Sequence, residues 1–263
     1  MSGGPRQVAA ITPEIPGIAL RRASVARLGL VARALSALLL TALPVLSQVL
    51  GTPPTYTPKP LSPVPNEGAV TRRIWVPGLD QGFVPQGVSF LDGALYVSGY
   101  TSLSTEQGRG PCHLFRIDPV TGQTAGRLDL PPACGHAGGL ARGSQKSLFV
   151  ADTRAVFEIK LDRSSRFSVG TVVRTIVLAG NLKGSFAAGS ADALWLGTYA
   201  EQGPGRLHKF PYAALKAELR ETDAVLSLPL PERSQGGGIR RQGSALGDAE
   251  LEPIWESQPH RLA

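Results

Sequence analysis

The sequence predicts an all-β fold assembled from repeated four-stranded sheets. Three observations carry that expectation. Short apolar or alternating runs follow one another, separated by Gly, Asp or Pro turns. A unit of about fifty residues recurs along the chain. Gly 31 and Pro 22 among 263 residues suit many tight turns and argue against a helical bundle. Hydrophobic residues make up 42% and charged ones 18%, so a packed core is within reach and wholesale disorder is excluded.

The first unit runs Pro85–Phe90, the turn Leu91-Asp92-Gly93, then Leu95–Tyr100. After a loop come Leu114–Ile117, the turn Asp118-Pro119-Val120-Thr121-Gly122, and Gly126–Pro131. The second unit runs Gly138–Ala141, Leu148–Asp152, Val156–Lys160 and Val172–Leu178. The third runs Gly184–Ala188, Leu194–Tyr199, Arg206–Phe210 and Ala224–Leu228, with Gly203-Pro204-Gly205 as a turn. The aromatics Tyr96, Phe149 and Trp195 mark the second strand of each unit. Residues 212–220 are expected to form a short inserted helix. Sheets that are apolar on both faces need a neighbour on each side, which is the logic of a β-propeller with about three visible blades. A β-sandwich without repeats is the competing architecture.

The segments Pro85-Gln86-Gly87-Val88, Asp92–Val97 and Leu114–Gly122 resemble those of secreted propellers of the strictosidine synthase, gluconolactonase and quinoprotein type. The resemblance covers about residues 75–237. It implies a ring of blades around a channel whose mouth holds ligands; turns of this kind recur across propellers of unrelated activity. A fourth unit opens at Ser234–Ile239, but no alternating run follows it. The expectation is therefore an incomplete copy, truncated or frame-shifted, with closure by oligomerisation as the competing account.

The net charge is +7 and the isoelectric point about 9.8. Much of that charge lies in residues 1–33, where Arg6, Arg21, Arg22, Arg27 and Arg33 face Glu14 alone. Residues 34–51 then carry no charge. A basic stretch before an apolar run reads as a secretory signal or a membrane anchor. Val45 and Ser47 fit a cleavage site near Gln48. Arg21-Arg22 loosely suggest a twin-arginine signal. Pro53, Pro54, Pro58, Pro60, Pro63 and Pro65 favour extended geometry and read as a spacer. The expected organisation is a signal or anchor over 1–50, a Pro-rich linker over 51–71, a partial propeller over 72–237, and an unpatterned tail over 238–263. The folded part is expected to begin near Arg72.

Cys112 and Cys134 are the only cysteines. Outside the cytoplasm they are expected to pair, stapling one blade to the next; they lack C-x-x-C spacing, and no metal site is expected. His136 stands at the entrance of an innermost strand, with Gln86 and Ser185 at comparable entrances. Asp152 is placed to reach the same mouth or to cap a turn. These four are the candidate ligand-binding residues, and His136 is the one candidate for catalysis. In lactonase-like propellers the resemblance implies that entrance residues hold calcium or act on substrate. Here Gln86, His136 and Ser185 stand where those families place a Glu or Asp and an Asn, so no cofactor is predicted and a calcium site like theirs is not expected. His113 and His208 are read as strand residues with no partner in register, and His260 as part of the tail.

The chain holds no G-x-S-x-G elbow, H-E-x-x-H, P-loop, or G-x-G-x-x-G opening a helix. Without the targeting segment no basic patch interleaved with aromatics remains for nucleic acid. Contact with a membrane is expected only through residues 34–51. The expected function is a secreted or periplasmic protein, anchored or free, that binds a small molecule or protein partner at the channel face. A lactonase- or esterase-type hydrolase and a non-functional fragment are the alternatives.

Overall fold

A computed structural model describes residues 49–56, 66–102, 104, 109–144, 147–165, 167–241 and 251–257. Most of the expected signal or anchor, Pro58 to Pro65 of the Pro-rich stretch, and His260 lie outside the described residues.

The fold is all-β, with antiparallel sheets. The first sheet has the order β1 (Phe83–Leu91), β2 (Ala94–Thr101), β3 (Cys112–Ile117), β4 (Thr124–Asp129). The second runs β5 (Gly139–Arg142), β6 (Ser147–Ala151), β7 (Ala155–Leu161), β8 (Gly170–Leu178). The third runs β9 (Phe186–Gly189), β10 (Ala193–Thr198), β11 (Gly205–Pro211), then β13 (Leu226–Leu230). Between β11 and β13 lies β12 (Glu218–Leu219), and the chain continues into a hairpin of β14 (Ser234–Arg241) and β15 (Leu251–Ser257). All twelve strands read from the sequence fall on these elements.

Local chemistry explains the meanders. Asp92 and Gly93 take φ 53° and 75°, the left-handed pair that a two-residue hairpin loop requires between β1 and β2. Between β3 and β4, Asp118 Oδ1 accepts the Val120 N–H at 2.7 Å and closes the turn.

Alternation along each strand then feeds two different cores. In β6, Leu148 and Val150 pack toward the first sheet, whereas Phe149 and Ala151 pack toward the third. In β10, Leu194 and Leu196 face the second sheet, while Ala193 and Trp195 face the opposite side. A strand buried on both faces is therefore shared between two neighbours, and no sheet is stable alone. The first strands β1, β5 and β9 stand next to one another, and β14 lies alongside β9. Glycine permits this closeness: a Cβ on Gly139 would lie 2.8 Å from the Phe186 Cα.

Three expectations differ from the structure. Residues 212–220 form no α-helix. Tyr212–Ala214 is a single 3-10 turn, and β12 joins the outer edge of the second sheet in parallel with β8. The Tyr212 ring stacks on Phe149 at 5.9 Å, and its hydroxyl donates to the Arg142 carbonyl at 2.7 Å. Burial pushes that hydroxyl up to about 12, with the nearby Asp192 carboxylate adding to the effect. Secondly, the stretch after Ser234 contains two paired strands where no second strand is expected. Thirdly, order begins before Arg72. Leu50 donates its N–H to the Arg73 carbonyl at 2.8 Å and accepts from Trp75 at 2.9 Å, forming a parallel bridge with Ile74.

Candidate functional site

The site grows from the end of β2. Tyr96, Ser98 and Tyr100 alternate toward the second sheet, and all three are buried. Tyr100 is in register with Cys112, the first residue of β3. Cys112 is bonded to Cys134, with Cα atoms 5.8 Å apart. The expected disulfide therefore exists and ties the first sheet to the loop that enters β5.

That loop is shaped around one carboxylate. Asp152, just past β6, is 5% exposed. Its Oδ1 accepts the backbone N–H of His136 at 2.7 Å, Ala137 at 2.9 Å and Gly135 at 3.3 Å. Ala137 holds φ 53°, a left-handed conformation rare for a residue with a Cβ. Successive N–H groups curled in this way form an anion-binding concavity, and here the anion is the protein's own Asp152. Ser98 Oγ adds a fourth tie by donating to the Ala137 carbonyl at 3.0 Å.

His136 itself is half-buried. Its ring stacks on Tyr100, with centroids 5.3 Å apart and planes 25° from parallel. No hydrogen bond fixes its ring nitrogens among the described residues. The stem of exposed Arg109 runs beside the Gly135 backbone, which accepts the Gly110 N–H at 3.2 Å. The loop thus presents a half-buried imidazole, backed by the buried Tyr100 ring, on a fixed backbone.

The four candidate residues do not converge equally. Asp152 and His136 are joined, but through the His136 backbone. Ser185 abuts Gly138 through its carbonyl, and its hydroxyl accepts the Tyr199 N–H at 3.0 Å, bracing the chain beyond β10. Gln86 sits at the bulge where β1 slips register between Pro85 and Gly87. It is exposed and lines a groove of about 400 Å³ with Arg72, Ile74 and Val88. Tyr100 escaped the sequence reading because its partner is distant along the chain. An aromatic closing a strand directly opposite a cysteine was the available signal.

Cys112, Cys134 and Asp152 place one potential ligand atom each within 4.8 Å of one another. Both sulfurs are spent in the disulfide, and metal sites need thiolates. His113 and His208 do have partners in register, contrary to expectation. His113 Nδ1 lies 2.8 Å from Asp129 Oδ1, its directly opposed residue across β3 and β4. The Arg127 guanidinium and then the His113 bond hold the Asp129 carboxyl below its usual range. His208 Nδ1 lies 2.8 Å from Ser227 Oγ, opposed across β11 and β13. Burial pushes the His208 imidazole below its usual value, while Glu221 at 3.7 Å acts in the other direction.

Among the described residues no helix is long and apolar enough to cross a membrane. No known family model matches the chain, and no curated protein matches it.

Proposed function

We propose that the three sheets are blades of a propeller and that the chain is an extracytoplasmic binding protein. Its ligand seat is the strand-entrance face around His136 and Tyr100. One observation carries the reading: a half-exposed imidazole with free nitrogens is stacked on Tyr100 by a loop fixed at Asp152 and at the disulfide. Rigidity of this kind lowers the ordering cost of binding. The surface suits a small molecule with a flat or apolar face to lie on the imidazole, which Tyr100 backs, and a hydroxyl or carbonyl for the ring nitrogens. The disulfide agrees with an oxidising compartment.

The hydrolase alternative of the lactonase or esterase kind draws less support. It would ask for a carboxylate exposed at this mouth, and Asp152 is 5% exposed with its Oδ1 held by three backbone N–H groups. A panel of lactones, esters and sugars, read by thermal shift and by hydrolysis, tests the proposal. The expected result is a compound that raises the melting temperature of the wild-type chain but not of His136→Ala or Tyr100→Ala. Binding that is indifferent to both substitutions overturns it.

A further inference from the structure

The strands β1, β5, β9 and β14 stand side by side in that order, so the succession has two free flanks among the described residues. The flank of β1 is apolar and open. Val88 is 66% exposed and Phe90 65%. The register shows why this is unusual for the position. Val88 opposes Val97, as Leu140 opposes Val150 in the second sheet and Ala187 opposes Leu196 in the third. Leu140 and Ala187 are 7% and 5% exposed, each covered by the sheet before it. Val88 is the same structural position with no preceding sheet among the described residues. Ile74 and Val76 cover the outer part of this face, packing on Phe83, Val97 and Phe115. The inner part stays open as the groove that Gln86 lines.

The opposite flank belongs to β14. The contacts inside the chain put glycine where first strands meet: a Cβ on Gly87 would lie 3.0 Å from the Gly139 Cα. β14 carries Gly236, Gly237 and Gly238, and among the described residues a Cβ on Gly238 would meet nothing within 4 Å. It can therefore receive another first strand as β5 and β9 do.

We propose that a second copy of this chain covers the β1 flank, with β14 of each copy seated on β1 of the other. This continues the strand-to-strand contact already made within each chain. The contact is self-complementary under two-fold symmetry, so it closes at two copies and leaves no free flank. Each copy brings three sheets of four or five strands and one two-stranded hairpin, so the pair brings six blades and two hairpins, within the four to eight at which propeller rings close. The channel wall facing His136 is then completed by the second copy. The inference rests on the radial arrangement stated under the proposed function.

Light scattering on the purified chain tests it, its mass first read by mass spectrometry. The expected species has twice that mass at micromolar concentration. Val88→Arg and Gly238→Arg alter the two flanks separately, and each places an unpaired charge in the contact. Each should raise the dimer dissociation constant by roughly a hundredfold with the circular dichroism of the sheets unchanged. A monomeric wild-type chain, a larger or open-ended assembly, or a dimer indifferent to both variants overturns the proposal. Failure of the two readings is separable. A monomer whose ligand response still depends on His136 rejects the pairing alone; a dimer with no such response rejects the binding seat alone.

Discussion

Replacing Asp152 with Ala removes the acceptor for three backbone donors at once. The His136 and Ala137 N–H groups, at 2.7 and 2.9 Å, make short bonds to a buried oxygen. Each should cost about 1.5 kcal/mol when left without a partner, within the range for hydrogen bonds to a charged group. The Gly135 N–H at 3.3 Å is weaker and its residue is half-buried, so water can replace the carboxylate there for about 0.5 kcal/mol. The sum is about 3–4 kcal/mol, a large share of the 5–15 kcal/mol typical of a folded domain. Asp152→Asn keeps Oδ1 as a neutral acceptor and should recover about half of the loss. Urea unfolding of the oxidised chain, followed by tryptophan fluorescence, measures both. The midpoints should fall in the order wild type, Asn, Ala, with a common slope. A loss below about 1 kcal/mol for Ala would show that the carboxylate is not what holds the loop, and the reasoning would fail.

Cys112→Ser with Cys134→Ser should lower stability by roughly 3 kcal/mol, given a separation of 22 residues, and urea unfolding reads it. Gly139→Ala should destabilise by about 1–3 kcal/mol or prevent folding, because the added Cβ meets the backbone of Phe186 and not a movable side chain. Tyr212→Phe should cost about 1 kcal/mol, since the ring still stacks on Phe149 and what is lost is the hydroxyl proton shared between the Arg142 carbonyl at 2.7 Å and the Ser190 carbonyl at 3.1 Å. His208 gives a pH signature. Its folded pKa lies below the ordinary 6.5, so the unfolded chain binds the proton more readily. Its contribution is complete above about pH 6.5 and is lost as pH falls from there toward the folded value. His208→Gln should flatten that part of a stability-against-pH curve; an unchanged slope would count against the burial argument.

The twelve strands were legible because each carries its own local signal, alternation or a short apolar run ending in a turn residue. What escaped was set by partners elsewhere in the chain. Tyr212, Leu215 and Leu219 recur at near-helical spacing, yet Leu215 and Leu219 are drawn to the second-sheet core and leave only a 3-10 turn and a two-residue strand. Leu50 makes one isolated bridge, which leaves no periodic trace. The partners of His113 and His208 depend on counting register across a hairpin, and a slip between Arg116 and Ile117 shifts the count for the first pair. At the candidate site, the residue types at the entrance could be read, but their division of labour could not. Asp152, Ser185 and His136 look alike as polar residues near strand entrances. Only geometry separates two spent on backbone bonds from one whose ring is free.

That division bears on what the loop is for. Residues 134–137 are held from three directions: by the disulfide from β3, by Asp152 from the end of β6, and by Ser98 from β2. A left-handed Ala137 costs conformational energy that a plain connection would avoid, with glycine as the ready substitute. The consequence of that backbone path is to keep the His136 N–H pointing into Asp152 while its ring lies outward on Tyr100. Stability alone would be served as well by an apolar side chain at 136 packed on the same tyrosine. The arrangement therefore separates two parts of one residue: the backbone secures the sheet-to-sheet staple, and the imidazole carries no hydrogen bond among the described residues, as the proposed ligand seat requires. Substituting Leu at 136 isolates them. His136→Leu should retain the unfolding free energy to within about 0.5 kcal/mol in urea, because the N–H bond and the packing on the Tyr100 ring survive. It should abolish any response that depends on the imidazole nitrogens. A large stability loss with ligand response intact would reverse the assignment and make the ring a structural group.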